Sequence, residues 1–244
     1  MDTKVVLRGI GILLLLNLAA AAFGQNAGQF DIAVKGTGSA RSITIIKYKG
    51  KETNVVIPDR IDRFPVTVIG KRAFDGFTEI TSVTLPEGIT SIEEMAFFGC
   101  AQLANVTLPS SLTFIGNWAF GWCKSLGSIT IPPGVTAIGD YTFSRCARLT
   151  SITLPPGITL IGENAFSRCT TLSSINFPEG LTSIGDWAFF MCFGLTSLGF
   201  PANLAVIGEN AFSECNGVNE ITISRKTRIG SSAFPGRVQI KYSD

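Results

Sequence analysis

All six cysteines of the 244-residue chain share one register: Cys100, Cys123, Cys146, Cys169, Cys192 and Cys215 follow one another at a constant interval. Thiols cross-link, hold zinc and act as nucleophiles, so this column is the first place to look for chemistry. In an exported protein six cysteines suggest three disulfides. Yet equivalent positions on adjacent rungs send their side chains the same way, which is poor geometry for a bridge even at a permissive Cα separation. The spacing favours buried free thiols used as small apolar fillers. A zinc site would cluster its cysteines at C-x₂₋₄-C spacing, which this sequence lacks. A second column holds Asn117, Asp140, Glu163, Asp186 and Glu209. Paired carboxylates can serve as acid and base on a polysaccharide, but one repeat position at a turn is equally explained by capping a short helical turn. The chain has no histidine, which removes Ser-His-Asp and Cys-His catalysis and most metal chemistry. These residues predict a non-enzyme with no cofactor and no metal.

The elements that carry these columns follow from the same period. Isoleucines recur at Ile69, Ile92, Ile115, Ile138, Ile161, Ile184 and Ile207, always 23 apart, with Ile229 after 22. Phe74, Phe97, Phe120, Phe143, Phe166, Phe189, Phe212 and Phe234 run in phase. A fixed period in this range marks a solenoid. Within Leu149–Cys169, the run Leu149-x-x-Ile152-x-Leu154 alternates apolar and small polar residues, as a strand with one buried face does. Pro155 ends that strand because proline has no N–H for a ladder bond. Gly162 opens the next turn and is assigned there to a φ that other residues resist. A short helical turn then carries Ala165 and Phe166 inward. One such unit cannot cover its own apolar face, so the copies must stack. The predicted class is therefore an α/β solenoid, rich in β structure. It has a parallel sheet on one face, short helical turns on the other and a cap at each end.

The pattern L-x-x-I-x-L-P-x-x-I-T-x-I-G-x-x-A-F-x-x-C resembles the repeat of BspA-like leucine-rich repeat proteins from about Ile69 to Phe234. It departs from ordinary leucine-rich repeats in that a Pro155-Pro156-Gly157 corner stands where an Asn or Cys would follow the strand. The resemblance implies an exported protein of the bacterial surface, with adhesion to host or neighbouring-cell proteins as its business.

Taken in order, residues 1–24 carry Lys4 and Arg8, an apolar run from Ile10 to about Phe23, and the small residues Ala22 and Gly24 near a cleavage point. This is the pattern of a secretory signal peptide, and its apolar run is shorter than the ~18–20 residues of a membrane span. Residues 25–68 lack the repeat and predict an N-terminal β cap, with strands at Phe30–Val34 and Ser42–Tyr48 and a rung-like Val55-Val56-Ile57 before Pro58. Residues 69–234 are the repeats. Residues 235–244 end in Val238–Tyr242, a capping strand. The net charge of +2 is scattered with no basic stripe, which argues against nucleic acid.

Two surfaces could bind. The outward strand positions carry Thr84, Thr107, Thr130 and Thr153 beside Ser82, Asn105, Ser128 and Ser151, either a binding face or a merely solvated sheet. Trp118, Tyr141 and Trp187 share one position beside the turn, and Trp122 lies just past the core Phe with Phe98, Phe190 and Met191 nearby. Exposed, these aromatics would form a contact patch; half-buried between rungs, they would be structural. The function expected is recognition of a protein or glycan over an extended face, by a protein that is secreted, at the cell surface or in the periplasm. The alternatives are a structural envelope component without a specific ligand and, further off, a polysaccharide-active enzyme.

Overall fold

The computed structural model describes residues 27–243, and the predicted leader lies outside the described residues. Within them the chain is a β-solenoid of about nine turns. Each coil contributes to three hydrogen-bonded columns around a core of Leu, Ile, Val, Ala, Phe and Cys side chains.

The first column is the strand that precedes the proline. Asn54–Val56, Ser82–Thr84 and Asn105–Thr107 pair in parallel, as do Ser128–Thr130, Ser151–Thr153 and Ser174–Ile175. Glu220–Ser224 and Gln239–Ser243 close the C-terminal end in the same parallel sense. The second column ends at the repeat isoleucines: Ser42–Tyr48, Phe64–Ile69, Ser91–Ile92 and Phe114–Ile115, then Ala137–Ile138, Leu160–Ile161, Ser183–Ile184, Val206–Ile207 and Arg228–Ile229. At the N-terminal end Phe30–Lys35 lies antiparallel on Ser42–Tyr48. Tyr48 stacks on Phe74 at 5.2 Å and so begins the core ring column. From Phe74 to Phe234 that column continues with centroids 4.9–5.6 Å apart.

The third column corrects the predicted helical turns. No α-helix occurs among the described residues, and the Ala-Phe segments are chains of tight turns. In one coil the N–H groups of Ala119, Gly121 and Cys123 bond three residues back, to Gly116, Trp118 and Phe120 at 3.0–3.2 Å. The intervening N–H groups of Trp118, Phe120 and Trp122 point along the rod to the carbonyls of Asp140, Thr142 and Ser144 at 2.8–3.0 Å. A left-handed residue at every fourth position produces this alternation: Trp118 at φ 61°, Trp122 at 63°, Tyr141 at 56°, Arg145 at 62°. L-residues in that conformation cannot continue an α-helix.

Two further expectations change with it. The acidic column does not cap its own coil. Asn117 Oδ1 accepts the Asp140 N–H at 3.0 Å, Asp140 Oδ1 that of Glu163 at 2.9 Å, and Asp186 Oδ1 that of Glu209 at 2.7 Å. These side chains stitch coil to coil. The column glycines, for their part, do not have positive φ. A Cβ on Gly162 would stand 2.8 Å from the Asp140 nitrogen, and on Gly185 2.7 Å from that of Glu163, so glycine serves close approach between coils. In these coils the glycine before the turn is there for its missing side chain, while several of the left-handed positions carry large residues.

One step of the stack is wedged. Among the described residues no strand pairing links Asn105–Thr107 to Ser128–Thr130 or Phe114–Ile115 to Ala137–Ile138. Elsewhere the Thr113 and Gly116 N–H groups reach Thr90 and Ile92 of the preceding coil; Thr136 and Gly139 lack those bonds. At this step the Phe120–Phe143 spacing is the widest of the core column, 5.6 Å, while Trp118 and Tyr141 close to 4.0 Å on the turn side. Thr142 supplies a cause. It occupies the column otherwise held by Ala73, Ala96, Ala119, Ala165, Ala188 and Ala211, is fully buried, and lodges its hydroxyl against the Gly139 and Gly116 carbonyls at 2.9 and 3.5 Å. The added bulk coincides with the missing strand pairing, while the turn column keeps its coil-to-coil bonds at 2.8–3.0 Å.

Candidate ligand-binding face

The four predicted threonines, Thr84, Thr107, Thr130 and Thr153, all project outward and are exposed. Thr84 is in register with Thr107, and Thr130 with Thr153, but the wedge divides the pairs. Among the described residues their hydroxyls have no partner in the protein. Thr90, Thr113, Thr159 and Thr182 behave differently. Each donates to a carbonyl of the preceding coil at 3.0–3.3 Å and so is consumed by the scaffold. The threonines on the first strand column are the ones left available to solvent or ligand.

The aromatic residues lie on the third column, all half-buried. Trp118 and Tyr141 stack at 4.0 Å with planes 5° apart, and Phe98 meets Trp118 edge-on at 5.6 Å. Trp187 meets Phe190 edge-on at 4.9 Å. Trp122 lies beneath Arg145, whose guanidinium carbon is 4.3 Å from the ring centroid, with Lys124 at 5.1 Å. The predicted residues thus form one surface, separate from the threonine column, on the turn side of the rod.

Their backbone gives the surface its meaning. Trp118, Tyr141 and Trp187 share the first left-handed position with Arg72, Met95, Asn164, Asn210 and Ser232; Trp122, Arg145, Arg168 and Met191 share the second with Gly76, Gly99 and Glu214. Glycine and asparagine hold this conformation at least cost, and a bulky residue there carries about 1–3 kcal/mol of strain. Core packing does not require the large groups, because the buried column beside them is already filled by Ala and Phe.

Asn164 interrupts the aromatic row. With Tyr141 one coil before it and Trp187 one coil after, it floors a notch of about 400 Å³. Ser144 and Ser167 extend the floor, Phe190 joins the Trp187 wall, and Arg145, Arg168 and Glu163 stand at the rim. Glu163 Oε1 accepts from the Tyr141 hydroxyl at 2.9 Å and from Asn164 Nδ2 at 3.1 Å. Burial, then the hydrogen bond to Glu163, holds the Tyr141 hydroxyl above the usual tyrosine range. Sequence reasoning missed Asn164, Arg145 and Arg168. Their signal was positional, since they fill the same columns as Tyr141, Trp122 and Met191.

The cysteines stand apart from this face. All six are free and buried, and each Sγ donates to the carbonyl of the phenylalanine 26 residues earlier at 3.1–3.2 Å, as Cys169 does to Phe143. They fill space and also tie coils together. Burial pushes their pKa values up, to about 12 for Cys100, Cys169 and Cys215 and well above the ordinary thiol value for Cys123, Cys146 and Cys192.

The period, the buried Phe and Cys columns and the stacked short strands agree with a match to the BspA type leucine rich repeat region, in six copies over residues 47–169 and 136–243. The chain belongs to the BspA-type leucine-rich repeat family. A leucine-rich repeat protein of T. pallidum (TpLRR) is 34% identical, with a TM-score of 0.73 over 80% of this chain and 90% of that one. A leucine-rich repeat protein of Bacteroides ovatus is 26% identical, with a TM-score of 0.64 over 87% and 70% of the two chains. A leucine rich cell surface protein of Faecalibacterium prausnitzii is 27% identical, with a TM-score of 0.55 over 86% and 76%. No curated protein matches. As in other leucine-rich repeat proteins, whose commonest task is binding, this BspA-type scaffold presents broad surface columns. No helix among the described residues is long and apolar enough to cross a membrane.

Proposed function

We propose that this BspA-type protein is exported and works without catalysis, as a recognition rod that binds a protein or glycan of a cell surface or its surroundings through the aromatic side face. The observation that carries the reading is the choice of residue at the left-handed positions. Gly76, Gly99, Asn164 and Asn210 hold that backbone at least cost; Arg72, Met95, Arg145, Arg168, Glu214 and Ser232 occupy it too, and the middle coils set Trp118, Trp122, Tyr141, Trp187 and Met191 there, half-buried at the surface. Stability alone would favour glycine or asparagine, so strain kept at a surface position is supported by a use for the side chain. Trp and Tyr bring large, rigid contact area at little entropic cost. Export rests on the character of residues 1–24, and the cell-surface relative lends it weight.

The test compares wild-type protein with Trp118→Ser/Trp187→Ser for binding to immobilised extracellular-matrix proteins, to envelope preparations and to glycans. A loss of about tenfold or more is expected on one of these ligands, the scale on which truncated interface aromatics act. Unchanged affinity on every ligand that the wild type binds removes the face. Export is checked by mass spectrometry of the mature N-terminus, expected at Gln25.

A further inference from the structure

The notch over Asn164 is a site of a particular kind. Its two walls belong to coils two steps apart, about 10 Å along the rod at the spacing of paired strands. A flat aromatic ring clasped between two others needs about 7–8 Å between the outer planes, two van der Waals contacts. At two coil spacings the walls stand farther apart than that, while Tyr141 stacks on Trp118 on its other side at 4.0 Å. The opening suits a thicker, puckered ring.

Its polar lining points the same way. The rim offers both an acceptor and donors: the Glu163 carboxylate on one side, the Arg145 and Arg168 guanidinium groups on the other, and the Asn164 amide with both capacities between them. Arg168 lies over Phe190 at 5.5 Å, as Arg145 lies over Trp122, so each cation is held against a ring and oriented. A cationic side chain entering the notch would face two guanidinium groups, and an acidic group would meet those groups beside the Glu163 carboxylate, whose Tyr141 and Asn164 bonds are already made. A neutral ring bearing several hydroxyls meets neither repulsion. Its C–H faces lie against the aromatic walls, and each hydroxyl can both donate and accept.

We infer that the notch formed by Tyr141, Asn164 and Trp187 binds a neutral pyranose unit of a glycan, seated between the aromatic walls with its hydroxyls shared among Glu163, Asn164 and the two arginines. This rests on the side face being the binding surface and names the class of ligand taken there. It also explains why the aromatic row is broken at Asn164: a tyrosine or tryptophan at that position would fill the notch.

The experiment is saturation-transfer NMR on the whole protein with the methyl glycosides of glucose, mannose, galactose and N-acetylglucosamine, and with glucuronate as the acidic comparison. At least one neutral glycoside is expected to receive saturation at its ring C–H protons. That signal should fall about tenfold in Trp187→Ser, the loss of one stacking contact, and at least as far in Asn164→Tyr, which fills the notch. Thermal melting confirms that each variant is folded, and Tyr141→Ser replaces either one that is not. Glycoside binding that survives Asn164→Tyr, stronger binding of glucuronate than of any neutral sugar, or no binding of any glycoside overturns the inference. If no glycoside binds while Trp118→Ser/Trp187→Ser still abolishes binding to a matrix protein, the notch fails and the side face stands. If that double variant changes no binding at all, the reading beneath it falls as well.

Discussion

At the scale of single residues, what looks conformational is steric and what looks inert is bonded. Gly162 does not need its freedom of φ; it needs to lack a side chain, because the Asp140 nitrogen is in the way. Gly162→Ala is therefore expected to cost about 1–3 kcal/mol, the range for forced overpacking, measured by urea unfolding. Phe166→Ala removes a ring stacked at 5.5 and 5.1 Å on its neighbours and should cost about 3–5 kcal/mol in the same assay. The thiols give a pH signature. Their folded pKa values lie above the unfolded ones, so the folded state keeps protons that the unfolded state loses; the stabilisation is complete below about pH 9 and disappears as pH rises toward 12. The unfolding free energy should be nearly flat from pH 7 to about 7.5, begin to fall as the unfolded thiols ionise, and approach a slope of about 1.4 kcal/mol per buried thiol for each pH unit above 9. A flat profile to pH 10.5 would mean that the thiols are not buried as described. A thiol reagent should find six reactive groups after unfolding and none before.

At the scale of the element, the strand column before the proline was legible; the second strand column, ending at the repeat isoleucines, and the column of turns were not. Period-two alternation ending at a proline has one physical reading, and the strands are where it puts them, though only two or three residues long in most coils. The segment after each glycine misled because an acidic or Asn residue followed by Ala-Phe is also how a helix begins. Trp118, Tyr141 and Arg145 say nothing of left-handed backbone. The clue lay in the column, where Gly76, Gly99, Asn164 and Asn210 are what such a backbone prefers. Of the candidate site, the aromatic residues could be named from sequence because they depart from the repeat, whereas the notch needed the coil order in space. Thr142 was equally visible as a departure from the alanine column. Thr142→Ala should let the wedged step close, restoring pairing between Phe114–Ile115 and Ala137–Ile138. Hydrogen exchange tests this: in the wild type the Thr136 and Gly139 amides should exchange faster than those of Thr159 and Gly162, and in the variant the difference should shrink.

At the scale of the whole molecule, the backbone bonds of the described repeats run within a coil or to the coils beside it, so length is adjustable in units of one period. Deleting a whole period between equivalent positions, from Glu163 through Gly185, should leave a shorter folded rod with its Phe and Cys columns intact. Deleting one residue more or fewer should not, because each column would then face the wrong neighbour; circular dichroism and melting distinguish the two. The third column adds something to this picture. Its alternate amides lie along the axis of the rod, as do the bonds of both strand columns. If the two termini were drawn apart, tension would meet these bonds one coil at a time and never all at once. Each coil released would let out a full period of extended chain, many times the rise that it occupied in the stack. A tether made this way yields in small increments under load and rewinds when the load is removed, where a globule would fail in a single event.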